Sequence, residues 1–294
     1  NIVDLALKEK VDFVVIAGDV FNAQEKSLYA QLRFREQLER LRDGGISCYY
    51  ACGNHDPLGD SSSCVSLPDN CLRFPSDKVG RFLFEKDGVA AAWIYGISFE
   101  RRIEFGNLAL RFRRDDDMTL PAIAVLHCNA GVAAHQPYAP CVKDDLRAAL
   151  MDYWALGHVH SFTVMDKASP AIVYPGCSQG GSPREPGAHG CCLVGMDGRN
   201  EVTVEFRAVD AVRFRELDVP VGSCDDMGDV MSTVFAALED CRDAGDGDRA
   251  LVLRLLLSGR SRLDRELREL GNLNTILDEA RSLMRTRGGF VWID

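Results

Sequence analysis

No apolar run in this chain approaches the roughly 18–20 residues that a helix needs to span a bilayer, which excludes a transmembrane helix. No secretory leader is visible either, although a missing N-terminus would hide one. Paired Cys-x2-Cys spacing is absent, and with it the usual structural zinc frameworks. The eleven cysteines are odd in number and include the adjacent pair Cys191 and Cys192. That argues against a disulfide framework and for buried free thiols in a reducing cytoplasm. The acidic run over 243–248 lacks the ligand spacing and the terminal glutamate of an EF-hand, so it reads as a polar turn. Positive charge is scarce: 34 Lys and Arg against 44 Asp and Glu leave a net charge of −10. The deficit weighs against a nucleic-acid enzyme without removing it, because non-specific affinity comes largely from Lys and Arg neutralising phosphates.

What the chain does have is a core and a set of motifs. Its 294 residues, 46% of them hydrophobic, suit one large domain plus a small one. Gly18-Asp19, Gly53-Asn54-His55-Asp56, Leu126-His127 and Gly157-His158-Val159-His160 each follow directly on a short apolar run. Those runs lack clean alternation, as strands buried on both faces do, and their polar ends are expected to converge at one rim of a sheet. Hard or borderline divalent cations take carboxylate, amide oxygen and imidazole, and four segments here deliver one or two such groups apiece. One aspartate can bridge two ions. Ions about 3.5–4 Å apart lower the pKa of a bound water, orient it and neutralise the charge of a phosphoryl transition state. Gly-Asp alone carries almost no information; the four motifs in this order describe a two-metal phosphoesterase centre.

The order and its surroundings resemble the calcineurin-like metallophosphoesterases, and within them the Mre11/SbcD-type DNA repair exonucleases, nearest to the bacterial YhaO-like branch. The resemblance covers nearly the whole chain. It is carried by Gly18-Asp19-Val20-Phe21-Asn22, Gly96-Ile97-Ser98-Phe99-Glu100, Leu126-His127-Cys128-Asn129, Pro137-Tyr138-Ala139-Pro140-Cys141, Asp152-Tyr153-Trp154-Ala155-Leu156-Gly157-His158-Val159-His160 and Tyr174-Pro175-Gly176. The family pattern also has an Asp-x-His motif on its first strand, and this sequence has none. Asn1 opens inside what reads as the first helix, with Ile2, Leu5, Ala6 and Val11 as its apolar positions. We expect the first strand to be missing by truncation in preference to natural loss. One metal position then keeps only the bridging aspartate and one histidine from this chain.

The resemblance implies an α/β fold, a two-sheet sandwich flanked by helices, over 1–210, and a small C-terminal α/β cap over 211–294 that helps choose the DNA substrate. It implies a bridging role for Asp19, second-metal ligation by Asn54, His127 and His158, and first-metal ligation by His160. His55 would protonate the leaving oxygen, with Asp56 orienting it. The ions would be two manganese ions, the nucleophile a metal-held water attacking in line, and the reaction hydrolysis of phosphodiester bonds in DNA. The implied partner is an SMC-like ATPase of the SbcC/YhaN kind, a homodimer is a further assembly it allows, and the location is cytoplasmic. Two alternatives use or explain the same residues: a phosphomonoesterase or cyclic-nucleotide phosphodiesterase, and a binding module whose metal site has decayed.

Arginines cluster twice, at Arg101, Arg102, Arg111, Arg113 and Arg114 and at Arg260, Arg262, Arg265 and Arg268. Either set can be a solvated face; the family's DNA path favours the first as substrate contacts. His135 reads as a surface histidine, His189 lies outside the motifs, and Gly176, Ser178 and Gln179 are candidates for shaping the site. A βαβ unit is expected over 12–52 with its helix over 26–42, then a long loop over 57–78 and short strands over 82–85, 90–97 and 108–112. A helix follows over 142–150, and strands over 171–174, 190–196 and 203–208 complete a second sheet. The tail reads as a strand to 219, a helix carrying Val230 to Cys241, a strand over 250–257, a helical stretch over 263–285 and a last strand over 290–293.

Overall fold

Strand–helix–strand over residues 13–51 sets the frame of the molecule. In the computed structural model, which describes residues 1–22, 27–60, 65–114, 119–133, 135–197, 201–243, 249–286 and 291–293, β1 (Phe13–Ala17) and β2 (Ser47–Ala51) run parallel, Phe13 opposite Ser47 and Ala17 opposite Ala51. Between them lies α2 (Leu28–Asp43), and before them α1 (Ile2–Glu9). Ser27 starts α2 by accepting the Ala30 amide at 3.2 Å; Gly45 ends it in the left-handed region (φ +73). Lys26, residues 244–248 of the expected polar turn, Phe290 and Asp294 lie outside the described residues.

Two expectations fail in the next stretch. A third strand, β3 (Cys71–Arg73), extends the sheet in parallel where a long loop was expected, because three partly exposed residues carry no periodicity. The strand expected over 108–112 is a short 3-10 helix, Leu108–Arg111, whose Asn107 side chain accepts the Ala109 amide at 3.1 Å. The larger sheet holds β4 (Gly80–Lys86), β5 (Val89–Ile97), β6 (Ala122–His127), β7 (Tyr153–Gly157), β8 (Thr163–Asp166) and β9 (Ala171–Tyr174), in the order β4-β5-β6-β7-β9-β8. β5, β6, β7 and β9 are mutually parallel, and β4 and β8 are antiparallel edges. The strand over 171–174 therefore belongs here. It was expected with β10 (Gly190–Met196) and β11 (Val202–Ala208), which pair with each other as a two-stranded sheet.

Packing explains the layers. Leu38, Leu41 and Ile46 cover the outer face of β1–β3; Tyr49, Phe74, Ile94 and Val125 fill the space between the sheets; Leu126, Trp154 and Tyr174 face α3 (Lys143–Ala148) and the 3-10 helix. Alternation along β6 sends Val125 to the inter-sheet side and Leu126 away, which returns His127 to the inter-sheet side. The motif-bearing strand ends thus come from two sheets, not from one rim.

By contact density the chain divides into two compact units, residues 1–177 with 190–207, and residues 178–189 with 208–294. The second is a parallel sheet of β12 (Val212–Pro220), β13 (Ala250–Ser258) and β14 (Val291–Ile293) with α4 (Met227–Asp243), α5 (Asp264–Leu267) and α6 (Leu270–Thr286). The single helical stretch expected over 263–285 is broken between α5 and α6. Val219, Leu251, Leu253 and Ile293 pack with Val230, Val234, Ile276 and Ala280. The described cysteines are free thiols, and no described helix is long and apolar enough to cross a membrane.

Candidate metal centre

At the end of β1 the backbone turns through the left-handed region twice, at Gly18 (φ +87) and Asp19 (φ +55). Aspartate is among the few side-chain-bearing residues that tolerate this, and the turn leaves the Asp19 carboxylate facing His127 at the end of β6. His127 is fully buried. Its Nδ1 lies 2.8 Å from the Ala17 carbonyl oxygen, and its Nε2 lies 2.9 Å from Asn54 Oδ1 and 3.3 Å from Asp19 Oδ2. A carbonyl only accepts, so Nδ1 carries the hydrogen and Nε2 the lone pair. Three acceptors then meet with no donor among them, an arrangement that a proton or a cation resolves. Burial disfavours charge on His127, but the Asp19 charge and hydrogen bond outweigh it and raise its pKa. Burial likewise opposes ionisation of Asp19, and the His127 interactions still hold its carboxyl below the ordinary range.

His158, also at positive φ (+93), donates from Nε2 to the Gln136 carbonyl oxygen at 2.8 Å, which leaves Nδ1 as its lone-pair nitrogen. Burial first, then the neighbouring His127, push its pKa down to about 4, so the ring is neutral at physiological pH. Asp19, His127 and His158 present ligand atoms that all lie within 4.8 Å of one another. With Asn54 they make a carboxylate, amide and imidazole donor set that fits a borderline or hard divalent ion.

The glycines of three motifs share one function. A Cβ at Gly18 would sit 2.6 Å from His127 Nδ1, one at Gly53 2.8 Å from His127 Cε1, and one at Gly157 2.8 Å from His127 Nδ1. Three strand ends can close on one imidazole because none of them carries a side chain there.

Asp56, expected beside His55, also holds the two turns together. It is buried; its Oδ1 accepts the Gly53 amide at 2.7 Å and the Asp19 amide at 3.1 Å, while its Oδ2 accepts the Val20 amide at 2.7 Å and the Tyr50 hydroxyl. These four donors occupy the carboxylate and tie the Gly18-Asp19 turn to the Gly53-Asn54 turn. The His55 amide completes the link by donating to Asp19 Oδ1 at 2.8 Å.

Beside His127 lies a cavity of about 670 Å³ lined by Asp19, Asn54, His55, His158 and His160 together with Arg102, Gln136, Tyr138 and His135, the last expected as a surface histidine. The His135 ring centroid is 5.6 Å from that of His158 and 5.7 Å from that of His160. A histidine and a tyrosine flanking a turn carry no spacing signal that would point either one into the cavity. Of the five arginines expected to meet DNA, Arg102 alone among the described residues lines the cavity, and Arg101, Arg111 and Arg113 are exposed elsewhere on the first unit. Arg114 is a correction. Its side chain is 4% exposed and bonds Asp152 at 2.9 Å, and it also donates to the Leu120 carbonyl at 2.7 Å, so its guanidinium is committed to the interior.

The remaining candidates fall elsewhere. Gly176 (φ +80) packs where a Cβ would lie 2.6 Å from the His160 carbonyl oxygen, so it supports that loop. Gln179 accepts the Ala211 and Val212 amides within the second unit. His189 is buried with Nε2 3.0 Å from the Glu185 carbonyl. In the second arginine cluster Arg262 pairs with Asp225, and Arg268 with Asp264 at 2.9 Å, both on a solvated face.

A buried oxygen-and-nitrogen ligand set beneath an open polar cavity, reached by strand ends of two packed sheets, is the arrangement of a metal-dependent phosphoester hydrolase. The chain belongs to the calcineurin-like phosphoesterases: that family's model matches residues 1–162, and the model of the metallophosphoesterase YhaO middle domain matches residues 214–294. It is 34% identical over 293 residues to the metallophosphoesterase YhaO of Bacillus subtilis strain 168, itself described as uncharacterized, covering 99% of this chain and 71% of that protein. More distant similarity joins it to the DNA double-strand break repair protein Mre11 of Sulfurisphaera tokodaii, 27% over 179 residues, 59% of this chain and 44% of that one. The Thermoplasma acidophilum protein of the same name is 26% identical over 225 residues, 72% of this chain and 57% of it. The chain thus spans about half the length of these Mre11 relatives.

Proposed function

We propose that this chain carries the catalytic centre of a DNA phosphodiesterase that cleaves with two divalent ions, manganese by resemblance. The observation that carries the reading is the cavity lined by His55 and Arg102 together with Asp19 and Asn54, whose acceptors meet His127. Asp19, Asn54, His127 and His158 would hold one ion; Asp19 and His160 would serve a second, for which this chain has no Asp-x-His. When bound, such ions supply Lewis acidity and a low-pKa water. His55 would give its proton to the leaving oxygen and Arg102 would bind a phosphate oxygen. The choice of DNA rests on the likeness to proteins named for double-strand break repair. Residues 1–210 would form the catalytic domain and 211–294 the cap, working in the cytoplasm with an SMC-like ATPase of the SbcC/YhaN kind, as a monomer or homodimer.

The net charge of −10 and the presence of Arg102 alone among the described arginines at the cavity favour a second reading, a small phosphomonoester or cyclic-nucleotide substrate. The two are separated by turnover with manganese on linear duplex DNA, on p-nitrophenyl phosphate and on bis(p-nitrophenyl) phosphate. Cleavage of DNA and of the diester in preference to the monoester is expected, and impaired as long as the second ion lacks an Asp-x-His. Turnover of the monoester alone would replace the first reading by the second, and no turnover with tight metal binding would point to a binding module.

A further inference from the structure

One buried side chain outside the four motifs organises the wall against which His158 leans. Asn129 follows β6 two residues after His127 and is 5% exposed. Its Nδ2 lies 2.9 Å from the Val132 carbonyl oxygen, 3.0 Å from that of His135 and 3.1 Å from that of Gln136, its two hydrogens shared among the three, and its Oδ1 accepts the Val132 amide at 2.7 Å. Its main chain joins in: its amide donates to the Tyr138 carbonyl at 2.9 Å, and its carbonyl accepts the Cys141 amide at 3.1 Å. Asn129 therefore ties together the described residues around Val132, His135, Gln136 and Tyr138, alongside two main-chain bonds, the His135 amide to the Val132 carbonyl at 3.2 Å and the Tyr138 amide to the Gln136 carbonyl at 2.9 Å. The side-chain amide thus uses both its donor hydrogens and its acceptor oxygen within one segment.

The Gln136 carbonyl is where this matters. It accepts both Asn129 Nδ2 and His158 Nε2. A carbonyl at that point forces the His158 hydrogen onto Nε2 and so the lone pair onto Nδ1, the way Ala17 fixes His127. We propose that Asn129 is a positioning residue that selects the tautomer and orientation of His158 through the Gln136 carbonyl, and with them the strength of divalent-ion binding. The proposal rests on the reading of Asp19, Asn54, His127 and His158 as ligands for its metal consequence, but not for the tautomer. Asn129 also bonds the main-chain carbonyl of His135, a residue that lines the cavity.

The test uses the whole chain, as wild type, Asn129→Ala and His158→Ala. Long-range proton–nitrogen correlation of the metal-free protein at neutral pH reads which ring nitrogen of His158 carries the hydrogen. Wild type is expected with the hydrogen on Nε2, and Asn129→Ala with a mixture. Calorimetric titration with manganese should show an affinity about 10–100-fold weaker in Asn129→Ala, the range for partners that orient a ligand. A wild-type ring with its hydrogen on Nδ1 overturns the proposal without any variant. So does an Asn129→Ala protein whose His158 tautomer is unchanged. Should His158→Ala bind manganese as well as wild type, the ligand reading fails by itself, and the tautomer comparison still decides the role of Asn129.

Discussion

Along the floor of the cavity His127 is buried, held at both ring nitrogens and enclosed by three glycines, and Asp56 staples the turns beside it with four donors. At the rim His160 and Arg102 are exposed, and His135 reaches them from a turn. Both regions are rich in the same residue types, yet the floor fixes its groups before anything binds and the rim leaves room for a ligand to arrange them. The contrast teaches where preorganisation is concentrated: at the atoms that would carry a cation, around a fully buried His127 where electrostatic interactions are strengthened.

The sharpest way to break this contrast is at His127. His127→Ala removes a ligand, and because partners one step further out cost about 10–100-fold, manganese affinity should fall by more than that. Calorimetry that finds native affinity would show the floor to be structural only. Next comes His55, at the boundary of the two regions. His55→Ala should lower turnover by about 10²–10⁴ while metal affinity stays close to native, as for loss of a proton donor. An empty site in that variant would move His55 from the acid to the ligand set.

The arginines sharpen the comparison further. Arg114→Ala strands the buried Asp152 carboxylate and should cost about 3–5 kcal/mol of stability in urea unfolding, with little change in the salt dependence of DNA binding. Arg102→Ala should do the reverse, leaving the unfolding midpoint in place and reducing the salt slope by about one ion. Equal effects of the two on DNA would contradict the burial of Arg114. The smallest effect concerns protons. The folded pKa of His127 is raised, so below that pKa a proton occupies the position an ion needs, and affinity should rise by about tenfold per pH unit as pH climbs toward it. His158, neutral down to about 4, should add nothing. Release of two protons per ion in buffers of different ionisation enthalpy would assign the second to His158.

How much of this was legible in the sequence follows from the range of each signal. The four motifs were visible because a glycine and a polar residue at the end of an apolar run are local features, and the structure places all of them on strand ends of the first unit. The layered α/β architecture was visible for the same reason. β3 and the 3-10 helix were not, since three or four residues hold no period. The bonds from Asp56 to Asp19 and Val20 left no local signal, because those residues lie 37 and 36 positions away. Arg114 was grouped with its neighbours by position, whereas its partner Asp152 lies 38 residues on. Asn129 stood in a quoted motif, yet its three carbonyl partners depend on a turn that no spacing rule describes.

The bond from His127 Nδ1 to the Ala17 carbonyl joins residues 110 apart in the chain. A contact of that span closes late, after the entropy of the intervening loop has been overcome and both sheets have formed. During synthesis the β1–β2 unit can fold first and must wait for β6 and β7 to emerge before its strand ends acquire a histidine. An ion captured at Asp19 and His127 would then act as a latch across two folding units. Chelation would be felt as slower refolding and a lower melting temperature of the first unit, by mass action on its native state alone.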